Sequence, residues 1–71
     1  MRVIYDPETD TLDLVFRDEA VAESDEVREG IIVDFDRDGK LVSIEVLNAS
    51  EHVHEPQTMV YQAKGSKPTS C

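Results

Sequence analysis

A cluster of carboxylates in the middle of the chain has the spacing of a calcium-binding loop. Residues 34–39 read Asp-Phe-Asp-Arg-Asp-Gly, and Glu45 follows after five further residues. In an EF-hand loop, carboxylates at positions 1, 3, 5 and 12 bind Ca²⁺, and glycine at position 6 permits the bend. The candidate calcium ligands are therefore Asp34, Asp36, Asp38 and Glu45.

The segments that flank this loop favour a β-hairpin over an EF-hand. An EF-hand needs a helix on each side, whereas residues 31–33 and 42–46 are rich in β-branched side chains and residues 42–46 alternate with a period of two. In a hairpin, Asp34 and Glu45 are diagonal neighbours whose Cα atoms lie about 7–8 Å apart, and Asp38 lies out in the turn. The carboxylates then share a side of the hairpin without converging on one ion, so we predict no metal site.

His52-Val53-His54-Glu55 is the second candidate for chemistry. On a strand, alternate residues share a face, so two imidazoles and a carboxylate could contribute to a zinc site. A closed zinc site normally needs four ligands, and the only thiol, Cys71, is far away in the sequence. We therefore interpret these histidines as surface residues without a metal role.

The residues of the chain do not form a recognisable catalytic arrangement. The two histidines lie side by side in one segment, and three glycines in 71 residues are too few for a phosphate-binding loop. General acid–base catalysis needs a defined cleft, which a small sheet of hairpins can scarcely enclose. We expect a protein that is not an enzyme and needs no cofactor.

Length and cysteine content predict one small soluble domain. A chain of 71 residues has room for a single modest core, and its one cysteine excludes an internal disulfide. A lone cysteine at the C-terminus favours a reducing, cytoplasmic environment. Neither a signal-peptide segment nor a long apolar run is present, which predicts a protein that neither is secreted nor spans a membrane.

The strongly acidic charge constrains the partners. Sixteen Asp and Glu against seven Lys and Arg give a net charge of −9. Binding to a phosphate backbone needs clustered Lys and Arg, so we expect neither nucleic acid nor anionic membranes as partners. A basic protein would be attracted, and the simpler alternative is that the charge only keeps the protein soluble.

Alternating sequence predicts a first hairpin near the N-terminus. Residues 2–5 alternate weakly, residues 6–10 (Asp-Pro-Glu-Thr-Asp) are dense in turn formers, and residues 12–16 place Leu, Leu and Phe at a spacing of two. Residues 17–26 are acidic and poor in apolar side chains, so we interpret them as a loop in which a helical turn could form.

A second hairpin is the clearest feature of the sequence. Strands are predicted over residues 27–36 and 41–47, joined by a two-residue turn at Asp38-Gly39. This register places six apolar side chains on one face, with Leu12, Leu14 and Phe16 available to cover them; these six are Ile31, Val33, Phe35, Val42, Ile44 and Val46. Slipping the register by one residue would mix apolar and polar side chains, which supports the assignment.

The fold is therefore predicted to be mainly β, or α+β if a helical segment forms. Two consecutive antiparallel hairpins form a small meander sheet of four to five strands, with residues 58–63 as the candidate fifth strand and a short helical turn near residues 49–54. The domain is expected to span residues 1–63, followed by a flexible C-terminal tail at residues 64–71.

The order and spacing of these segments resemble a known family. Residues 5–16, residues 30–39 (including Gly-Ile-Ile-Val-Asp-Phe-Asp) and residues 42–50 (Val-Ser-Ile-Glu-Val-Leu-Asn-Ala-Ser) are similar to the small prokaryotic proteins of domain of unknown function 2283. The resemblance covers about residues 1–52. It implies a β-rich fold and carries no established activity or catalytic residues, and some members are suspected of being antitoxin-like.

Two function classes remain open at this point. The first is a non-catalytic protein-interaction module, antitoxin-like in its most specific form, that binds a basic partner. The second is a self-associating structural protein or a divalent-cation binder that uses the carboxylate-rich hairpin. We expect a homodimer, and a monomer with a mixed outer face is the alternative. The reason is that five apolar side chains are left towards the side away from the main apolar face; they are Ile4, Val15, Ile32, Leu41 and Leu47.

Overall fold

The computed structural model describes residues 1–65 and the backbone of residues 69–70. The strands are β1 (Arg2–Asp6), β2 (Thr11–Val15), β3 (Glu23–Arg28), β4 (Ile31–Phe35), β5 (Leu41–Val46), β6 (Val60–Tyr61) and β7 (Thr69–Ser70). Strands β1 to β5 form one open antiparallel sheet in the order β1-β2-β5-β4-β3, and β6 and β7 pair separately. The described residues include no α-helix, so the prediction of a mainly β fold is confirmed.

The first hairpin forms as its turn residues predict. The carboxylate of Asp6 accepts a hydrogen bond from the backbone N–H of Glu8 at 2.9 Å, which is a local turn contact of the kind that Asp favours. Asp10 adopts a positive φ of 54°, a conformation that Asp tolerates better than most residues. The hairpin pairs β1 with β2 through five residues on each side.

The predicted strand over residues 27–36 is wrong, because the chain reverses direction within it. Gly30 has a φ of +80°, and a tight turn at Glu29-Gly30 separates β3 from β4. The Glu26 carboxylate stabilises this turn by accepting the Gly30 N–H at 3.0 Å. The fifth strand of the sheet is therefore Glu23–Arg28, most of which the sequence assigned to a loop.

The register of the second predicted hairpin is confirmed away from the turn, but the turn itself is longer than two residues. Val33 pairs with Ile44 and Ile31 with Val46, as expected. Near the turn the register shifts, and Phe35 pairs with Leu41 instead of Val42. The N–H of Gly39 donates to the Asp36 carbonyl at 3.0 Å, and Gly39 has a φ of +78°. This is a turn closed by a glycine bulge, the usual form of a three-residue hairpin loop.

The core lies on one face of the sheet, which we call the apolar face, and the segment after β5 covers it. The side chains on the apolar face that pack together are Val3, Tyr5, Leu12, Leu14, Ile44 and Val46. A 3-10 turn at Ala49–Glu51, within the predicted helical segment, places fully buried Ala49 against them, and Val53 adds to the cover. The prediction that β2 covers the second hairpin is wrong, since β2 pairs edge to edge with β5 and extends its face.

The C-terminal predictions have mixed outcomes. Val60–Tyr61 is a strand, as residues 58–63 suggested, but it pairs with Thr69–Ser70 and not with the main sheet. The predicted flexible tail at residues 64–71 falls partly on residues 66–68 and 71, which lie outside the described residues. The boundary at residue 63 stays a prediction. Across the described chain, no helix has the length and apolar character needed to cross a membrane.

Candidate functional site: a carboxylate cluster and two sheet edges

The face opposite the core carries three neighbouring carboxylates, which we call the carboxylate cluster: Asp13, Asp34 and Glu45. The register places Asp13 directly opposite Glu45, and Asp34 one step along on the next strand, opposite Ser43. The predicted diagonal relation of Asp34 and Glu45 is therefore confirmed. Asp13 belongs to the first hairpin, and sequence reasoning missed it because only the β2–β5 pairing brings it to this cluster.

Asp34 is the best-satisfied member of the cluster. It is only 3% exposed, and it accepts hydrogen bonds of 2.6 Å from the hydroxyls of both Ser24 and Ser43. Burial by itself raises the pKa of Asp34, but the hydrogen bonds from Ser24, Ser43 and Glu45 together outweigh it and hold the pKa below its usual value. Asp34 is therefore the charged member of the pair that it forms with Glu45.

Glu45 is held in the opposite direction. Its hydrogen bond to Asp34, its burial and the negative charges of Asp34 and Asp13 raise its pKa to about 7. Below that pH the protonated Glu45 carboxyl donates to the Asp34 carboxylate, so that the two groups share one proton. Oδ1 of Asp13 is buried and has no hydrogen-bond partner among the described residues. The Asp34–Glu45 pair therefore carries one negative charge below about pH 7 and two above it, because Glu45 loses its proton there.

The other two calcium candidates are not part of this cluster. Asp36 is buried in the β4–β5 turn, where it accepts the N–H groups of Asp38 and Lys40, both at 2.9 Å. Its second oxygen pairs with Arg17 at 2.7 Å. These contacts, led by the Lys40 N–H and then Arg17, hold the pKa of Asp36 below its usual value despite burial. Asp38 is exposed in the turn. The residues of the EF-hand pattern therefore lie in two separate places. Asp34 and Glu45 belong to the carboxylate cluster, whereas Asp36 and Asp38 belong to the β4–β5 turn.

The histidine segment is not a strand. Residues 52–55 follow the 3-10 turn in an irregular conformation, and His52, His54 and Glu55 are all exposed. The alternate-face arrangement on which a zinc site would depend is therefore absent from this segment. Across the part of the chain that the structure describes, no group of three or more His, Cys, Asp and Glu side chains is arranged to hold a metal ion.

Strand β3 forms one edge of the sheet and is exposed along its whole length. It pairs only with β4, and all six of its residues are exposed. From residue 18 to residue 26 the chain carries five acidic side chains and no basic one. Within residues 1–65 the one ion pair is that between Arg17 and Asp36, so Glu23 and Asp25 carry uncompensated charge. This acidic edge combines unpaired backbone groups with negative side chains.

Strand β1 forms the opposite edge and is different in character. It pairs only with β2, and its sequence, Arg-Val-Ile-Tyr-Asp, has no net charge. Arg2, Ile4 and Asp6 are exposed, whereas Val3 and Tyr5 are partly buried against the core. A groove lined by Val3, Tyr5, Pro56 and Met59 runs beside this neutral edge. The two edges of one sheet thus offer two different surfaces.

Comparison with known proteins gives a family and no function. The sequence profile of the family described as protein of unknown function (DUF2283) matches residues 2–50, which is more than half of the chain. The match extends from β1 to the 3-10 turn, as the resemblance of residues 1–52 predicts. No curated protein and no solved structure matches the chain significantly.

Proposed function

We propose that this chain, which belongs to the DUF2283 family of proteins of unknown function, is a non-catalytic interaction module that binds a basic partner protein at its acidic β3 edge. The observation that supports this proposal is an exposed edge strand whose acidic side chains have no cationic partner in residues 1–65. An open edge can accept an added strand through its backbone hydrogen bonds, and side chains then select the partner.

The charge of the edge specifies which strand fits. Glu23 and Asp25 are two residues apart in β3, so their side chains lie on the same face of the sheet. Lysine or arginine at alternate positions of an added strand would lie opposite these carboxylates, and opposite charges at such positions are favourable. A neutral or acidic strand would leave the carboxylates unpaired, which is how acidic edges oppose unspecific pairing.

The exposed apolar side chains near this edge are consistent with a docking surface. Val21, just before β3, is 50% exposed, and Val27 within it is 53% exposed. They flank the acidic stretch and would gain free energy if an added strand covered them. An antitoxin-like action, in which this chain masks a basic protein in the cytoplasm, is the specific form of the proposal. Nucleic acids and anionic membranes are disfavoured as partners by the net charge of −9.

The proposal is tested with a defined basic strand. A fluorescent decapeptide of alternating lysine and valine should bind in the micromolar range at low salt and more weakly at high salt, and a glutamate–valine decapeptide should not bind. Hydrogen exchange should slow at the amides of residues 23–28 when the lysine peptide is bound. Protection elsewhere in the chain, with none at residues 23–28, would refute the assignment of the edge.

A charge-matched pair of variants separates the edge from the net charge. Glu23→Lys with Asp25→Lys should weaken peptide binding by about tenfold or more. Glu8→Lys with Glu51→Lys makes the same change in net charge at exposed positions outside β3, and it should have a much smaller effect. Equal losses in the two double variants would show that only the overall charge attracts the peptide. Affinity capture from the native cell, followed by mass spectrometry, would then identify the partner.

The carboxylate-rich hairpin does not supply a comparable case for cation binding. The oxygens of Asp36 are engaged by backbone N–H groups and by Arg17, and those of Asp34 are engaged by two serines. Glu45 shares its proton with Asp34. The hydrogen bonds of the hairpin therefore account for these carboxylates in a structural role.

A further inference from the structure

We propose that two copies of this chain associate through the neutral β1 edge, in an antiparallel pairing of β1 with β1 centred on Ile4, to form one continuous ten-stranded sheet. The inference is independent of the basic partner, because it uses the edge opposite β3. A two-fold contact presents the same strand from both copies, so the strand must be complementary to its own reverse.

The sequence of β1 meets this requirement. Pairing centred on Ile4 places Arg2 of one copy opposite Asp6 of the other, twice across the axis. It also places Val3 opposite Tyr5, so that charged residues meet opposite charges and apolar residues meet apolar ones. Cross-strand pairs of these kinds stabilise a sheet, whereas like charges directly opposite each other destabilise it.

The edge strand β3 fails the same test. Reversing β3 against itself with Glu23 opposite Arg28 sets Asp25 against Glu26, and the strand carries a net negative charge. The register shift between Glu26 and Arg28 further interrupts a regular ladder. Charged side chains and bulges are the usual means by which an edge is protected from self-pairing. β1 has no bulge, and its two charged residues have opposite signs that meet in the self-paired register. Within residues 1–65 its backbone forms no hydrogen bond outside its ladder with β2.

The groove beside β1 supports a second copy as the occupant. A five-residue strand alone buries less than the roughly 800 Å² that each partner contributes to a stable interface, and the groove supplies further surface. Val3, Tyr5, Pro56 and Met59 line that groove and would adjoin their symmetry equivalents on the apolar face.

The dimer would cover Ile4 and leave both acidic edges accessible. Ile4, 44% exposed in the single chain, would lie against its own copy on the face that carries the carboxylate cluster. The two acidic β3 edges would lie at the far ends of the ten-stranded sheet, where both remain accessible. A partner with two basic strands would then bind both ends with increased avidity.

Sedimentation equilibrium tests the association and its charge pairing. The wild-type chain should have a mass near 16 kDa, twice the 8.0 kDa of one chain, at high micromolar concentration and physiological salt. Arg2→Glu should raise the dissociation constant of the dimer about tenfold or more, and adding Asp6→Lys should largely restore it. Arg28→Glu makes the same change in net charge on the β3 edge and should change the constant by less than about twofold.

Disulfide trapping tests the register. Ile4→Cys in a Cys71→Ser background should form a covalent dimer rapidly on mild oxidation, because residue 4 meets its own copy at the axis. Val27→Cys in the same background, at a similarly exposed position on β3, is the matched control and should link much more slowly. A mass near 8 kDa throughout the micromolar range would overturn the proposal. Linking of Val27→Cys as fast as Ile4→Cys, or no effect of Arg2→Glu on a dimer, would also overturn it.

Discussion

Glu45→Gln should make the protein more stable at alkaline pH and leave it nearly unchanged at pH 5. The folded-state pKa of Glu45, about 7, lies above its ordinary value of 4.5. For a carboxyl shifted in this direction, the stabilising contribution is fully present below about pH 4.5 and is lost as the pH rises through about 7. Above pH 7, two adjacent carboxylates are both charged in the folded state. Glutamine removes that repulsion while its amide can still donate to Asp34.

The size of the effect follows from the pKa. Each pH unit between the two pKa values corresponds to about 1.4 kcal/mol of unfolding free energy, which sets an upper limit of about 3 kcal/mol. Glu45 is only partly buried, and solvent screens its interaction with Asp34. We therefore expect the variant to gain about 1–2 kcal/mol at pH 8.5. For a domain of this size the gain raises Tm by roughly 5–10 °C.

Thermal unfolding followed by circular dichroism from pH 5 to pH 8.5 provides the measurement. The difference in Tm between Glu45→Gln and the wild type reports on the Asp34–Glu45 pair, because the titrations of groups outside the carboxylate cluster are common to both proteins. Glu19→Gln removes the same charge from an exposed loop residue and should change Tm little at any pH in this range. A Glu45→Gln advantage that is the same at pH 5 and pH 8.5, or a loss of stability at pH 8.5, would refute the shared-proton interpretation.

Three further predictions concern the β4–β5 hairpin. Gly39→Val should destabilise the fold by about 1–2 kcal/mol, because Gly39 has a φ of +78°. Gly39→Asn should destabilise it clearly less, since Asn tolerates a positive φ better. Superimposable denaturation curves for Gly39→Val and the wild type would contradict the turn geometry. Asp36→Ala should lower Tm by roughly 5 °C or more. Arg17→Gln should lower it by less, since this variant keeps both hydrogen bonds from the backbone to Asp36. A larger loss of Tm in Arg17→Gln would show that the ion pair stabilises the fold more than the turn hydrogen bonds do. Calcium titrated at physiological salt should give no saturable heat in the micromolar range, and a stoichiometric curve abolished by Glu45→Gln would restore the calcium-loop hypothesis.

The two hairpins that the sequence predicts correctly depend on local chemistry. The turn formers at residues 6–10 and the apolar alternation of residues 12–16 specify β1 and β2 without long-range information. Away from its turn, the second hairpin keeps its predicted register for the same reason, since a slip by one residue would mix the two faces. The same local match explains why the family resemblance over residues 1–52 is recognisable from the sequence.

The division of residues 27–36 into two strands could not be derived from alternation. Val27 and Ile31 have similar strand propensities, and the signal for the reversal is the single Gly30. The turn there is favoured by contacts that form only in the folded chain: Leu47 donates its N–H to the Gly30 carbonyl at 2.8 Å, and the Glu26 carboxylate accepts from the Gly30 N–H. Strand β3 is acidic and its residues are all exposed, so its sequence lacks the apolar pattern that identifies a strand.

The sequence by itself determined the acidic charge, the two hairpins and the diagonal placement of Asp34 and Glu45. Only the tertiary structure decided that β2 pairs with β5, and this pairing is non-local: it sets Asp13 beside Glu45 across thirty-two residues of chain. The pKa of Glu45 is raised mainly by its hydrogen bond to Asp34 and by burial, and the charge of Asp13 adds to this shift. The same pairing of β2 with β5 leaves β1 and β3 as the two edges of the sheet. Sheet order follows from which strands bury apolar surface together, a property of the whole chain that no local pattern encodes.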